Sequence, residues 1–527
     1  MLILYVYLII FPCVLCNSLL TLDYGSYNGT LENGLVVWRG VRFAKSPVGE
    51  LRFRAPQPPE SFTSVQQADK FGSSCIQFNN NSEDNSSEDC LFLNIWKPSN
   101  AQNLPILFWI YGGNFILGSS SLDNYDGSHL VRRSNNSIIF VSANYRLGPL
   151  GFLSSEEIRR DGDLNAGLLD QKMALEWLRK YARAFGGDPA KITVIGESAG
   201  AISIGFHLLS SAFTDQPDVR GEPQVEHRQE NILQTVSQTP FDKAILISGS
   251  TTALSHCQPY QIYQAVYDKI VDKVGCSKAN GSLRCLRESN ITNLHAVGKA
   301  MVQASPLFLS FSPVVDGKYV VKDCSTLSKN RHFDRIPLIL GTSTNEGTLY
   351  TAKLPSNTTE EFFVGIKRIM PCVSNTSLQE IARLYPESMA YPAHETRMTL
   401  AFGDQAFMCP ALEMAKAYSP NLYKYRFDQA NGTLGAYHSA IIPYVFHNTR
   451  YMAASEMQLA DIISDYFISF VRSEDPNTYT SHIKWPKYAT GNQIVFVASN
   501  TRLEKDPSDN ERCAFWNSFN YTCSAFK

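Results

Sequence analysis

Seven short runs of apolar, β-branched or aromatic residues recur along the chain: "PILFWIY" from 105, "SIIFVSANY" from 137, "ITVIG" from 192, "AILISGS" from 244, "IPLILGT" from 336, "LYKYRF" from 422 and "IVFVAS" from 494. Their apolarity is continuous rather than alternating, the pattern of strands covered on both faces. Polar stretches with helical spacing lie between them, so the pattern predicts an α/β chain with a central, mostly parallel twisted sheet flanked by helices. Length does not divide it: 527 residues suit roughly two to four average domains, but large single α/β units also reach this size.

The helical spacing is clearest in "NAGLLDQKMALEWLRKYARAFGGDP". There Leu169, Met173, Trp177, Tyr181 and Phe185, with the neighbouring row Ala174, Leu178 and Ala182, step by four before Gly186, Gly187 and Pro189 stop the helix. Leu459, Ile463, Tyr466 and Phe470 carry the same period near the C-terminus. No internal repeat is visible. Residues 212 to 240 form a polar interval between a helix and a strand, longer than connections usually are; it reads as a surface loop or an artefact of gene modelling.

The run from Ile106 ends on Gly112-Gly113-Asn114. A glycine-rich turn after an apolar strand cradles a phosphate, presents amides to an oxyanion, or merely turns the chain. No G-x-x-x-x-G-K-[ST] or G-x-G-x-x-G accompanies it, which disfavours phosphate. The choice is made downstream by "KITVIGESAGA", where Gly196-Glu197-Ser198-Ala199-Gly200 follows a predicted strand and opens a helical run. G-x-S-x-G at a strand-to-helix turn is a nucleophile elbow, with the serine held out at the top of the sheet. A serine nucleophile needs a base, and the base an acid that fixes its tautomer. In chain order the acid comes next and the base last. Glu346 lies just past the run at 336; left to itself it would read as a solvated loop charge. His394, His438, His447 and His482 follow it, and only His438 comes after a predicted strand through a glycine-containing loop.

"FGGDPAKITVIGESAG" and "SEDCLFLNIW" resemble the two signatures of the type-B carboxylesterase family, which includes the cholinesterases. "GVRFAKSPVGELRFRAPQPP", "VSANYRLGPLGFL", "FSPVVDG", "GTSTNEG", "CAFWNSF", and "DPN" followed by "WPKY" are similar to further family blocks in the same order, from about Tyr24 to about Trp516. The resemblance implies one α/β-hydrolase domain over residues 17–527 and cofactor-free ester hydrolysis through Ser198, Glu346 and His438, the triad also reached from chain order. It implies an oxyanion hole made by the amides of Gly113, Asn114 and Ala199. It further implies disulfides Cys75–Cys90, Cys276–Cys285 and Cys409–Cys513, leaving Cys257, Cys324, Cys372 and Cys523 unassigned. By family analogy the chain would form a homodimer through C-terminal helices.

Several positions depart from the family pattern. Where three glycines are usual the chain has Asn114, which keeps the amide donor but adds a side chain and is expected to impose a backbone other than glycine's. The usual H-G-x-E reads His438-Ser439-Ala440-Ile441, replacing an acid with an apolar side chain. Glu197 is retained and suits a cationic transition state, an exposed carboxylate being the plainer reading. The segment between Cys75 and Cys90 contains no tryptophan, the ring that cholinesterases set against a quaternary ammonium, so choline specificity is not expected. Leu307 and Leu309 stand where aromatic rings would narrow an acyl pocket; core leucines are the alternative.

Two features point outside the cell. Leu2 to Pro12 form an uncharged apolar stretch ending near "CVLCNS", which reads as a secretory signal over residues 1–16 cut near Cys16-Asn17, although its n-region lacks Lys and Arg. Glycosylation sequons begin at Asn28, Asn80, Asn85, Asn135, Asn280, Asn290, Asn357, Asn375, Asn431 and Asn520. Of 12 cysteines, the ten remaining after the signal leaves (12 − 2) suit disulfides of an oxidising compartment, and none has zinc-site spacing. Lys+Arg 47 against Asp+Glu 49 leaves a net charge of −2, with no basic cluster for a nucleic acid. The expected partner is a small-molecule ester, with no metal, no cofactor and no integral membrane segment once the signal is cut. A secreted carboxylesterase is the leading reading. A cholinesterase or lipase-like esterase is the alternative within the family, and a neuroligin-like, non-catalytic adhesion protein the alternative outside enzymes.

Overall fold

The computed structural model describes residues 18–78, 85–211, 239–253, 257–304, 311–322, 324–329 and 333–519. Residues 1–16, expected to be a signal, with Asn80, Leu307, Leu309, Asn520, Cys523 and nearly all of the 212–240 interval, lie outside the described residues.

The chain's apolar runs build one 11-stranded sheet. In chain order its strands are β1 (Thr30–Glu32), β2 (Leu35–Arg42), β3 (Phe92–Pro98), β4 (Leu104–Ile110), β5 (Ile139–Ala143), β6 (Gly187–Glu197), β7 (Lys243–Ile247), β8 (Leu338–Ser343), β9 (Leu422–Phe427), β10 (Asn492–Phe496) and β11 (Arg502–Lys505). Across the sheet the order is β11-β10-β9-β8-β7-β6-β4-β5-β3-β2-β1. Each of the seven predicted runs is a strand, and β4 to β10 pair parallel with one another. The edges are antiparallel: β1, β2 and β3 on one side and β11 on the other. β5, β7 and β8 are buried at every residue, as strands covered on both faces must be. One contiguous apolar cluster runs from Leu20 to Trp516.

Helix α1 (Ala166–Tyr181) buries Ala174 and Leu178, and Ala182 just beyond it is buried too, whereas Leu169, Met173 and Tyr181 are half-buried. It ends earlier than its apolar spacing suggests. A tight turn at Ala182–Phe185 follows, and Gly186 closes it at φ +85°, a left-handed conformation suited to glycine. Helix α2 (Ala199–Ser211) packs on β6 and β7. α3 (Thr348–Thr351), α4 (Arg397–Gly403), α5 (Cys409–Tyr418), α6 (Ala454–Ser473) and α7 (Glu511–Ser518) complete the elements used below. Leu459, Ile463, Tyr466 and Phe470 of α6 are all buried, as their period requires. Among the described residues no helix is long and apolar enough to cross a membrane.

Disulfides join Cys75 to Cys90, Cys257 to Cys324, Cys276 to Cys285 and Cys409 to Cys513, and Cys372 is also disulfide-bonded. The sequon asparagines at 85, 135, 280, 290, 357, 375 and 431 are exposed. Asn28 differs, because its carboxamide accepts from Ser18 Oγ at 2.9 Å and donates to Gln67 Oε1 at 3.1 Å.

Register sets the site. Gly196 of β6 lies opposite Ile110 of β4, and Glu197 opposite Ile247 of β7. The turns that leave β4 and β6 therefore emerge side by side at the carboxyl edge of the sheet, where open α/β sheets bind ligands.

Candidate active site

Between β6 and α2 the chain turns at Ser198, whose φ of +53° is a left-handed conformation unusual for a non-glycine residue. The turn is held by Ser198 N–H donating to Ile247 O at 2.8 Å and by Ile202 N–H donating to Ser198 O at 2.9 Å. Both flanking glycines are sterically required. A Cβ on Gly196 would sit 2.6 Å from the carbonyl carbon of Gly200, and one on Gly200 would collide with Ile110 O. The serine is 5% exposed at the base of the site.

Glu346 and His438 come from neighbouring strands. β8 and β9 run parallel, and the chain beyond them pairs once more at Asn345 and Tyr437. The bridge is reinforced by Asn345 N–H donating to Ala436 O and Ala436 N–H donating to Asn345 Oδ1, both 2.9 Å. The next residue on each chain is Glu346 or His438, and there Glu346 Oε2 lies 2.6 Å from His438 Nδ1. The other oxygen, Oε1, accepts Ser343 N–H at 2.7 Å. Glu346 is 1% exposed, so the reading of a solvated loop charge does not hold. His394, His447 and His482 are placed elsewhere: His447 meets Asp461 and His482 meets Asp465 on α6, and His394 contacts Thr433 O.

Glu197 is buried as well, which removes the exposed reading, and its Oε1 lies 3.2 Å from His438 Nε2. The pair is close but not aligned, and neither atom has a hydrogen-bond partner among the described residues. Burial, with Glu346 nearby, pushes the Glu197 carboxyl up to about 7, while His438 pulls the other way. Burial opposes charge on His438, yet the carboxylates of Glu197 and Glu346 outweigh it and hold the imidazole above its ordinary range.

Two aromatic rings that sequence reasoning did not single out close around the imidazole. Phe407, from the π-turn between α4 and α5, lies 4.4 Å from the His438 ring, and Tyr350 of α3 lies 5.3 Å from it. Tyr350 lies in the short helical turn that follows Glu346, four residues on, so its nearness in sequence is the one signal that points to it. No sequence signal marks Phe407.

The turn after β4 borders the serine. A Cβ on Gly112 would lie 2.8 Å from Glu197 O and 2.9 Å from Ser198 Cβ, so this position must be glycine. Gly113, Asn114 and Phe115 follow with φ of +109°, +54° and +60°. The expectation that asparagine would impose a non-glycine backbone is overturned. Asn114 keeps the left-handed conformation, which its short polar side chain tolerates better than most. Among the described residues the amides of Gly113, Asn114 and Ala199 have no protein acceptor, and Asn114 Oδ1 is buried without a partner. Ile441 is fully buried, so the missing acid leaves an apolar contact instead. No cluster of three or more metal-ligating side chains occurs among the described residues.

A largely parallel sheet with a serine on a strained strand-to-helix elbow and a histidine and a carboxylate from later strand ends defines an α/β-hydrolase. Residues 17–217 and 229–516 match the carboxylesterase family, and the chain belongs to it. It is 31% identical to the para-nitrobenzyl esterase of Bacillus subtilis, over 94% of this chain and 98% of that protein. It is 32% identical to secreted lipase 1 of Botryotinia fuckeliana, over 92% and 88%, and 30% identical to mouse cholinesterase, over 93% and 84%. The crystal structure of Aspergillus niger EstA superposes with a TM-score of 0.83 at 31% identity, covering 95% of this chain and 98% of that one. The protein is a carboxylic ester hydrolase.

Proposed function

We propose that the protein is a secreted, glycosylated carboxylesterase of broad specificity acting through Ser198, His438 and Glu346. A signal is cut near Cys16-Asn17, and residues 17–527 form one domain. Ser198 Oγ attacks the ester carbonyl while His438 Nε2 takes its proton. His438 then passes that proton to the departing alcohol oxygen, leaving an acyl-serine. A water molecule repeats the two transfers, releases the acid and restores the serine. Glu346 holds the proton on Nδ1, so that Nε2 is the basic nitrogen, and stabilises the imidazolium. The amides of Gly113, Asn114 and Ala199 receive the negative oxygen of each tetrahedral intermediate; removing one such donor typically costs about 10²–10³ in rate.

The observation that supports this reading best is the buried 2.6 Å contact of Glu346 with His438 Nδ1, in a fold that also sets Ser198 on a left-handed elbow between β6 and α2. A carboxylesterase is favoured over a cholinesterase because the Cys75–Cys90 segment has no tryptophan for a quaternary ammonium. The retained serine speaks against a neuroligin-like adhesion role. The test is a panel of p-nitrophenyl and thiocholine esters of increasing acyl length, run on the wild type and on Ser198→Ala. Hydrolysis of the neutral esters that disappears in Ser198→Ala is expected. Equal rates in both proteins would sink the triad, and a strong preference for thiocholine esters would overturn the carboxylesterase assignment.

A further inference from the structure

Tyr350 brings a hydroxyl into the site that the triad does not need. Its position follows from α3: Glu346 precedes this single turn, Leu349 points outward at 48% exposure, and Tyr350 turns inward. The ring packs against Phe402 at 5.2 Å and Phe407 at 5.9 Å, and it faces the imidazole of His438 at 5.3 Å. A phenylalanine would serve that packing equally. What tyrosine adds is its hydroxyl, on a ring packed 5.3 Å from that of His438, and the side chain of Ser198 interacts with it. In the same structure His438 Nε2 has no hydrogen-bond partner among the described residues. The phenol thus stands against the imidazole of His438 as well as beside Ser198.

We propose that Tyr350 is a further catalytic residue, whose hydroxyl donates a hydrogen bond to the leaving-group oxygen as the ester C–O bond breaks. Once Ser198 Oγ has bonded to the carbonyl carbon, it and the leaving oxygen are neighbours on one tetrahedral carbon. A donor seated beside Oγ therefore reaches both. In collapse of the intermediate the C–O bond breaks with its electron pair going to the alcohol oxygen. That oxygen receives its proton from the His438 imidazolium, and Tyr350 keeps its own, supplying only a hydrogen bond to the developing alkoxide. Burial, reinforced by Glu197 and Glu346, holds the phenol well above its ordinary range, so it remains a donor at any working pH. The consequence is a substrate class. The enzyme is suited to esters of ordinary aliphatic alcohols, whose alkoxides are poor leaving groups, as well as to activated aryl esters.

The inference rests on the serine-esterase reading above. The experiment is kcat/KM of full-length wild type, Tyr350→Phe and Ser198→Ala toward butyrate esters whose alcohols run from p-nitrophenol to ethanol. In Tyr350→Phe the ethyl ester is expected to lose about tenfold or more, the scale of one hydrogen bond to a charged group. The p-nitrophenyl ester should lose less than about threefold, because its leaving group needs no donor. The plot of log kcat/KM against alcohol acidity becomes steeper. Equal losses across the series, or no loss, would overturn the proposal, since a phenol that only packed or oriented Ser198 would affect all esters alike. Activity surviving in Ser198→Ala would instead overturn the triad reading, so the two failures are distinguishable.

Discussion

On one side of the His438 ring, Glu346 places both carboxylate oxygens on donors, the imidazole Nδ1 at 2.6 Å and the Ser343 amide at 2.7 Å. On the other side, Glu197 is buried to a similar depth, yet its Oε1 approaches Nε2 at 3.2 Å without forming a hydrogen bond. The two carboxylates share depth and a partner and differ in satisfaction. An unsatisfied buried carboxylate responds by titrating, and Glu197 does so near 7. Glu346 is thus built as a fixed strut, and Glu197 as a charge that depends on pH and on what occupies the site.

The sharpest way to break this contrast is Glu346→Gln, which keeps the shape but can stabilise the wrong tautomer. It should lower kcat by about 10⁴-fold, read with a p-nitrophenyl ester, with the fold intact by circular dichroism. A smaller effect follows from Glu197→Gln, about 10- to 100-fold in kcat/KM, because only an electrostatic contribution is lost. The base must be neutral to act, and Glu197 raises its affinity for a proton. The acid limb of the wild-type kcat/KM profile should therefore lie above 6.5, the ordinary imidazole value, and move to lower pH in the variant. Stability should move the opposite way to activity. A carboxyl whose folded pKa is raised from 4.5 to about 7 destabilises the fold progressively as pH climbs through that window. Glu197→Gln should accordingly raise Tm at about pH 8 more than at about pH 5. The smallest effect is expected from Asn114→Gly. The left-handed backbone and the amide donor both persist, so rates should change by less than about threefold, with the acyl-length preference shifting as the carboxamide is removed. A loss of 100-fold would show that the asparagine side chain itself takes part.

Sequence reasoning reached the middle of the sheet more easily than its edges, for a physical reason. The runs within β4 to β8 and β10 read as nearly continuous apolarity, with β9, "LYKYRF", marked by its aromatic residues, whereas β2, "LVVWRGVR", and β3, "FLNIWKP", mix polar and apolar residues on the antiparallel side and give no such run. Ser198, Glu346 and His438 are candidates in the sequence because each follows a strand end in the order such a triad requires, and the structure brings Glu346 and His438 into contact. The burial of Glu197 could not, because it depends on Gly112 of another turn passing close to it. The left-handed backbone of Asn114 departs from expectation because the geometry of the turn after β4, where Gly113 and Phe115 also have positive φ, sets it rather than the residue's own preference. Tyr350 and Phe407 reach the imidazole from α3 and from a π-turn, and only the packing of those elements brings them together.

The account stands most directly on covalent labelling with a fluorophosphonate ester, read by intact mass and peptide mapping. A single adduct on Ser198 is expected, forming rapidly in the wild type and more slowly in Glu346→Gln, with an acid limb that moves to lower pH in Glu197→Gln. An adduct on any other residue, or labelling of Ser198 at one rate in all three proteins, would contradict it.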